Sequence, residues 1–168
     1  TSVVHFLAEY PAESLRPGDV LITNDPWKAS GHLHDLTVVT PVFRGNTLVA
    51  LFANTCHVLD IGGRGYSADA REVYEEGLFI PITKLYDRGR PNEELFKILR
   101  ANVRSSDQVL GDIHAMVACN DVGGARLLGF MQEFGFESIQ PLSDEIMARS
   151  EAAMRAAIRR VPNGVYEN

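Results

Sequence analysis

The segment "SGHLHDLTVV" (Ser30 to Val39) places two histidines and an aspartate, His32, His34 and Asp35, within four positions. Imidazole and carboxylate groups at this spacing could bind a divalent metal ion or move protons. A turn-rich segment, "TNDPWKASG", precedes them, and β-branched residues typical of a buried strand follow. The alternative is a polar loop that only leads into a sheet.

A β-hairpin predicted after this segment brings a third histidine back to it. The runs "LTVVTPVF" and "TLVALFANTCH" are apolar and β-branched, and the turn "RGN" separates them. With the turn centred on Gly45, Asp35 is expected opposite Thr55, and His57 opposite Leu33. Asp35 and His57 are then diagonal neighbours on one face, about 7–8 Å apart at the backbone. A slip of one residue would turn the two side chains to opposite faces.

His32, in the loop just before the hairpin, can join Asp35 and His57 around one ion. Two neutral imidazoles and one carboxylate leave coordination positions open for water or substrate, as catalytic metal sites require. Zinc, manganese and iron(II) all suit this donor set. The competing interpretation makes these side chains hydrogen-bonded structural residues, which is the expected role of a lone histidine such as His34 or His114.

Two aspartates are the candidates for catalytic groups beside the ion. Asp60, in "DIGG", could present a carboxylate beside His57, and Asp25, in "NDP", could reach the same ion. Both segments also have turn composition, and the turn role is favoured for each aspartate. Cys56 adjoins His57 in a strand and so faces the other way, which argues against a cysteine–histidine catalytic pair. The run "GGRG" lacks the Walker and dinucleotide patterns, so no nucleotide site is predicted.

The composition is that of a globular chain with scattered charge. Its 168 residues are 45% hydrophobic and carry a formal net charge of −6, which suits a single domain over 1–168. This charge argues against a nucleic-acid partner, which requires a basic surface. No apolar run approaches the roughly 18 residues of a membrane span, so a cytoplasmic protein without a membrane partner is expected. Cys56 and Cys119 are interpreted as reduced and buried.

Strand patterns precede helix patterns along the chain. Besides the hairpin, the strand candidates are "VLIT" (20–23) and "LFIPIT" (78–83). Apolar residues at helical spacing predict helices over 91–102, about 106–134 and about 143–160. The second pattern is interrupted at Gly123-Gly124 and is one kinked helix or two, and Ser143 is expected to cap the third. This order predicts an α+β fold, with a mixed or antiparallel sheet containing the hairpin in the N-terminal half and helices in the C-terminal half.

The chain contains four longer blocks: "PGDVLITNDPWKASGHLHDLTVVTPVF", "HVLDIGG", "EEGLFIPITKLYDRGRPNEEL" and "ANVRSSDQVLGDIHA". In this order they resemble the hydantoinase B/5-oxoprolinase family, which includes the large subunits of acetone and acetophenone carboxylases. The match runs from about Arg16 to Glu167. Family members are several times longer, and the chain begins at Thr1 without a methionine, so a fragment of a longer polypeptide is expected.

The resemblance implies a divalent-metal site made by His32, Asp35 and His57, the positions that match the family's ligands. His34 takes the place of a proline in many members and is not expected to bind the ion. Val58 takes the place of a second histidine, whose role in those relatives is therefore not carried over. The segment "RGYSADA" also departs from the family pattern, which is consistent with a different substrate pocket.

The activity implied by the resemblance is the ATP-dependent opening of a cyclic amide such as a hydantoin, 5-oxoproline or another lactam. A separate A-type subunit or domain would bind ATP and activate the substrate, and this chain would supply a metal-activated water that attacks it. Asp60 or Asp25 would orient a ligand or move a proton. Two other functions stay open: a subunit of an ATP-dependent ketone carboxylase, and a non-catalytic module that only assembles with the ATP-binding partner.

Overall fold

The computed structural model describes residues 2–65 and 69–166, which form a five-stranded antiparallel sheet and five α-helices. The strands are β1 (Val20–Thr23), β2 (Asp35–Arg44), β3 (Thr47–His57), β4 (Thr83–Asp87) and β5 (Arg90–Pro91), in the spatial order β3-β2-β1-β4-β5. The helices are α1 (Ser2–Glu9), α2 (Val73–Glu76), α3 (Glu93–Asn102), α4 (Ser106–Glu133) and α5 (Gln140–Ile158), with a 3-10 turn at Ala12–Ser14. The predicted α+β fold is confirmed, whereas helix α1 was not predicted.

The chain divides into two compact units, residues 1–128 and 129–168. The first contains the sheet, α1 to α3 and most of α4. The second contains α5, which has no buried residue and is supported by two exposed Arg–Glu pairs at a spacing of four residues. Such pairs each add only a few tenths of a kcal/mol to a helix.

Two layers of apolar side chains sandwich the sheet of the first unit. On one face, Val20, Ile22, Leu36 and Val38 pack in the same cluster as residues of α3 and α4. On the other face, Leu21 and Val39 share a cluster with Phe6 of α1. Because side chains alternate along a strand, Asp35 and Thr37 lie on the α1 side of β2 with Val39. Strand β2 is therefore buried on both faces along its middle, whereas β3 is only partly buried, and the end of the hairpin carries polar residues.

The hairpin forms as predicted, but its register differs by two residues. Asp35 pairs directly with His57, so the predicted pairing of Asp35 with Thr55 and of His57 with Leu33 is wrong. The difference of two keeps Asp35 and His57 on the same face, because side chains repeat every second residue. The two candidate ligands are therefore direct cross-strand neighbours rather than diagonal ones.

Two local features explain the register. The turn has two central residues, since Arg44 pairs with Thr47, and Gly45 takes the positive φ of +61° that a tight hairpin turn requires. A β-bulge then inserts one extra residue, because Val42 pairs with Ala50 whereas Phe43 pairs with Leu48. Each feature moves the pairing by one position, and together they give the observed register.

The strand predicted over 78–83 is wrong except at its last residue, where β4 begins. The backbone of this segment is bonded to side chains at the end of β1 instead of to a strand. Asn24 binds the carbonyl of Leu78 and the N–H of Ile80, and Thr23 Oγ1 donates to the carbonyl of Ile80. Since these polar groups are already satisfied, the segment has no need of a strand partner.

The helix predictions are largely confirmed. Asn92 caps α3 by accepting a hydrogen bond from the N–H of Leu95, and α4 continues as one helix through Gly123 and Gly124. The third helix begins earlier than predicted, at Gln140, so Ser143 is not its N-cap: its N–H is already bonded to the carbonyl of Ile139.

Two remaining sequence-based expectations concern membranes and cysteines. Within the described residues, no helix combines the length and apolar character needed to cross a membrane. Both cysteines are free thiols, but Cys56 is only partly buried and Cys119 is exposed, so the expectation that both are buried is wrong. The departure from the family in "RGYSADA" falls partly on residues 66–68, which lie outside the described residues.

Candidate metal centre

The three candidate ligands come from two neighbouring strands and the loop before them. Asp35 is the first residue of β2, His57 is the last residue of β3, and the two are paired across the ladder. His32 precedes Asp35 by three residues, and the N–H of Asp35 bonds to the carbonyl of His32, which folds the loop into a turn. This turn directs both side chains to the same end of the hairpin.

The donor atoms of these three residues converge. His57 Nδ1 lies 2.8 Å from Asp35 Oδ1, and His32 Nδ1 lies 3.3 Å from Asp35 Oδ2. One potential ligand atom from each residue can be chosen so that all lie within 4.8 Å of one another. His32 and His57 are exposed, and Asp35 is partly buried, so the cluster is open to solvent on one side. Two imidazoles and one carboxylate arranged in this way fit the donor set of a zinc, manganese or iron(II) site.

The carboxylate at the centre of the cluster is held in its ionised form. Burial alone would raise the pKa of Asp35, but hydrogen bonds from Ser30 and His57, together with the nearby charge of His32, lower it below its usual value. Ser30 Oγ donates to Asp35 Oδ2 over 2.6 Å. An ionised Asp35 has its lone pairs available to a cation at neutral pH.

His34 lies beside the cluster without joining the set of convergent donors. Its ring stacks on His57 with centroids 5.4 Å apart, and only 8% of the residue is exposed. Burial, followed by the charges of His57 and His32, lowers the pKa of His34. His34 thus packs beside the three converging side chains, and its absence from the ligand set stays a prediction.

The side chain of Asp60 is hydrogen-bonded within the loop that follows β3 and to Arg104. Its carboxylate accepts hydrogen bonds from the N–H of Gly62 at 3.0 Å, from the backbone N–H of Arg104, and from the guanidinium of Arg104 at 2.8 Å. Burial alone would raise the pKa of Asp60, and these hydrogen bonds lower it below its usual value. The structure thus places Asp60 in the turn role favoured by its sequence, and a part in catalysis stays a prediction.

Asp25 is placed in a turn as well. Its Oδ1 accepts the N–H of Trp27 at 3.0 Å, and its Oδ2 lies 3.7 Å from Lys28 Nζ. The carbonyl of Asp25 also accepts N–H groups from Lys28 and Ala29, which starts the loop that leads to His32. A direct contact of Asp25 with an ion stays a prediction.

Several residues around the centre were missed by the sequence analysis. Ser30 orients Asp35, Arg104 binds Asp60, and Asn24 and Glu76 both bind the backbone of Leu33. Asn24 was noticed only as part of the turn "NDP", because a side chain that bonds to a distant backbone leaves no periodic pattern in a sequence. Ser30 could have been found, since it stands five residues before Asp35 in a turn-rich segment.

A cleft of about 300 Å³ opens beside the loop that carries His32. It is lined by Pro26, Trp27, Gly31, Ala70, Arg71, Glu72, Val73 and Glu76. Trp27 is largely exposed and offers an aromatic wall, while the ionisable side chains supply polar edges. A space of this size suits a small organic molecule rather than a macromolecule.

Comparisons with known proteins relate the whole chain to one family. The sequence model described as hydantoinase B/oxoprolinase matches residues 1–168. One subunit of a putative D-/L-hydantoinase from a Pseudomonas species is 34% identical over 158 residues, which are 92% of this chain but 27% of that protein. The chain therefore spans about a quarter of the length of this curated relative.

Two solved structures resemble the fold. The crystal structure of ATP-dependent caprolactamase from Pseudomonas jessenii matches with a TM-score of 0.87 and 31% identity, over 97% of this chain and 28% of the other. A nucleotide-free acetone carboxylase structure matches with a TM-score of 0.71 and 18% identity, over 84% of this chain and 19% of the other. The second likeness concerns the fold alone.

Proposed function

Because this chain belongs to the hydantoinase B/oxoprolinase family, we propose that it is part of the metal-bearing subunit of an ATP-dependent cyclic amide hydrolase. The substrate class is a hydantoin, 5-oxoproline or another lactam. The observation that carries the proposal is the convergence of His32, Asp35 and His57 at the open end of the hairpin. The names of the relatives, a hydantoinase and a caprolactamase, support amide-ring chemistry.

Three side chains, those of His32, Asp35 and His57, would bind the cation. His32 and His57 offer imidazole nitrogens, and Asp35 offers a carboxylate that Ser30 keeps in place. A divalent cation bound there would lower the pKa of a water molecule towards neutrality and polarise a carbonyl group. With three protein donors, positions remain for water or substrate, which is the pattern of catalytic rather than structural metal sites.

The cleft beside His32 is the proposed space for the ring of the substrate. Gly31 lines it and is the residue before His32, so a ligand there lies next to the centre. Trp27 can pack against the apolar part of a lactam, and Arg71 or Glu72 can bind its polar edge. Packing of this kind positions the amide group and restricts the access of bulk water.

A catalytic role for Asp60 and for Asp25 beside the ion is also part of this proposal. Asp60 holds the loop that follows His57 through Arg104, and Asp25 forms the turn before the loop of His32. Either carboxylate could orient a ligand or move a proton if its hydrogen bonds rearrange when substrate binds.

ATP is proposed to bind to a separate A-type subunit or domain that activates the substrate oxygen. The hydantoinase relative is named as one subunit of its enzyme, and the caprolactamase is described as ATP-dependent, which supports a division of labour between chains. The likeness to acetone carboxylase at 18% identity concerns the fold and gives no reason to prefer ketone carboxylation.

The test of function is turnover by the full-length protein with its ATP-binding partner. Hydantoin, 5-oxoproline and caprolactam would be supplied with and without ATP, and ring opening would be followed by chromatography. We expect ATP-dependent opening of at least one ring, and loss of activity in His57→Ala. ATP-dependent carboxylation of acetone or acetophenone, with no ring opened, would contradict the hydrolase proposal. Unchanged turnover in His57→Ala would contradict the role of the centre and favour the assembly module.

The metal can be tested without turnover. Full-length protein purified without chelators should carry close to one zinc, manganese or iron ion per chain by elemental analysis. His57→Ala should carry much less, whereas Thr47→Ala, an exposed substitution at the other end of β3, should not change the metal content. Wild-type protein free of these metals would contradict the proposed site.

A further inference from the structure

We propose that Asn24 and Glu76 are positioning residues of the metal centre, which clamp the backbone of Leu33 and so fix the distance between His32 and Asp35. This inference rests on the proposed function, because it assumes that His32 and Asp35 bind an ion. Neither Asn24 nor Glu76 is needed as a ligand. Their contacts are with the peptide units between the two ligands.

Asn24 is fully buried, and both the nitrogen and the oxygen of its amide are hydrogen-bonded. Its Nδ2 donates to the carbonyl of Leu33 at 2.8 Å and to the carbonyl of Leu78 at 2.9 Å. Its Oδ1 accepts the N–H of Ile80 at 2.7 Å. The side chain of Asn24, directly after β1, therefore joins residues 32–34 (the ligand loop) to the segment before β4.

Glu76, at the end of α2, holds the other side of the same residue. Its Oε2 accepts the N–H of Leu33 at 3.1 Å. Both backbone polar groups of Leu33 are thus bonded to side chains, and the side chain of Leu33 is itself buried. A residue held at its N–H, its carbonyl and its side chain has little freedom of φ or ψ.

The clamp extends to the third ligand through the backbone. The N–H of Val58, directly after His57, donates to the carbonyl of His34 at 2.8 Å. The N–H of Leu78, whose carbonyl binds Asn24, donates to the carbonyl of Ile61 at 2.8 Å. The ligand loop and the loop after β3 are therefore connected through the same buried group of hydrogen bonds.

The physical reason for such a clamp is the spacing of the ligands. His32 and Asp35 are separated by two loop residues, and a free loop of this kind populates many backbone conformations. Ordering it when an ion binds would cost free energy and weaken the affinity. A loop that is ordered beforehand avoids this cost, which is how supporting residues around metal ligands raise affinity.

Asn120 offers a matched control. It is also a buried asparagine, and its Nδ2 lies 3.2 to 3.3 Å from the carbonyls of Val38 and Phe52 and from Thr40 Oγ1. It joins α4 to the middle of the hairpin rather than to the ligand loop. Asn120→Ala should therefore cost stability of the same kind as Asn24→Ala without disturbing the distance between the ligands.

The experiment measures zinc affinity in the full-length protein by competition with a chromophoric chelator, after removal of bound metal. Asn24→Ala should weaken zinc binding by about 10-fold to 100-fold, the usual effect of losing a partner around a metal site. Glu76→Ala should weaken it in the same direction, and Glu76→Gln, which keeps an oxygen acceptor for Leu33, should restore most of the affinity. Asn120→Ala should bind zinc as tightly as wild type.

A second measurement reports geometry rather than affinity. The visible absorption of bound Co²⁺ should change in band position or intensity in Asn24→Ala and Glu76→Ala, and not in Asn120→Ala. If Asn24→Ala does not fold, Glu76→Ala and Glu76→Gln alone decide, since Glu76 is only partly buried and more tolerant of change.

The outcomes separate this inference from the proposed function. Wild-type protein that binds zinc, with equal affinity and equal Co²⁺ spectra in all the variants, would overturn the clamp and leave the metal centre standing. Affinity lost equally in Glu76→Gln and Glu76→Ala would mean that the negative charge acts and not the hydrogen bond, which would also overturn it. Wild-type protein that binds no metal would overturn both.

Discussion

The two faces of the β2–β3 hairpin use polar side chains in opposite ways. On the α1 side, Asp35 and His57 lie at the open end of the ladder and keep part of their surface in solvent. On the α4 side, Asn54 donates to the carbonyl of Met116 and to Asn120, which in turn lies within hydrogen-bond distance of the strand carbonyls. The same two strands thus carry a candidate site on one face and a helix attachment on the other.

Burial explains this difference. A polar group enclosed between two layers must satisfy its hydrogen bonds within the protein, or it destabilises the fold. The amide nitrogens of Asn54 and Asn120 are used in this way, as attachments between the strands and α4. His32, Asp35 and His57 of the candidate centre keep access to solvent because they lie at the end of the ladder, outside the two apolar clusters. This difference predicts that substitutions at the open end of the α1 side change metal binding, while those on the α4 side change stability.

The largest effect is expected from removing the charge of Asp35. Asp35→Asn keeps the shape of the side chain and an acceptor for Ser30, but it loses the carboxylate shared by His32 and His57. Zinc affinity should fall by more than about 100-fold, beyond the effect of losing an outer partner. The measurement is chelator competition, with Thr37→Val on the same face as control. Equal losses in both variants would contradict a centre confined to the end of the hairpin.

Asn120→Ala tests the α4 side of the hairpin, which α4 covers (the covered face). The substitution leaves the buried carbonyl of Val38 and the partly buried carbonyl of Phe52 without this donor, so the free energy of unfolding should fall by about 1–3 kcal/mol. Urea denaturation measures this loss. The same protein should keep its full metal content by elemental analysis, and a loss of metal without a loss of stability would break the distinction between the two faces.

The close approach of α4 to the covered face gives a smaller effect. A Cβ at Gly124 would lie 2.8 Å from Cγ2 of Val42, so Gly124→Ala should force the helix and sheet apart and lower stability by about 1–3 kcal/mol, partly offset by better helix propensity. Gly111→Ala, in the same helix, meets no atom within 4 Å and should be neutral or stabilising. Thermal unfolding compares them, and equal melting temperatures would argue against tight packing at Gly124.

The smallest effect is expected from Asp60, and it depends on pH: the loss of stability in Asp60→Asn should be complete at neutral pH and should disappear in acid. Its pKa is lowered in the folded state, so its contribution to stability is complete above the unfolded pKa of about 3.9 and is lost as pH falls through the folded pKa. Asp60→Asn should therefore flatten the decline of stability below about pH 5. Urea denaturation across this range is the measurement, and an unchanged decline would exclude Asp60 as a contributor.

The same variant decides between the two roles of Asp60. Normal turnover and normal metal content in Asp60→Asn at neutral pH would place Asp60 with the covered, architectural residues and contradict a catalytic part. Turnover lost with metal retained would support proton transfer or ligand orientation by its carboxylate.

The two strands of the hairpin and the face that carries Asp35 and His57 were predictable from local sequence patterns. Alternating β-branched residues around "RGN" identified both strands of the hairpin, and the face shared by Asp35 and His57 followed from the alternation of side chains. The register itself was not predictable, because a bulge near Val49 depends on packing that no local pattern records. An error of two residues was harmless here only because it preserved the face.

The sequence by itself determined the α+β order, the hairpin and the face that Asp35 and His57 share, since each of these depends on residue types and on the periodicity of side chains. The tertiary structure alone decided which polar side chains are left for chemistry. Asn24 and Asp60 stand in similar turn segments, yet the first binds the backbone of the ligand loop and the second is bonded to Arg104, 44 residues further along the chain. Burial and hydrogen-bond partners are properties of chain segments brought together by folding, so no local spacing could assign them.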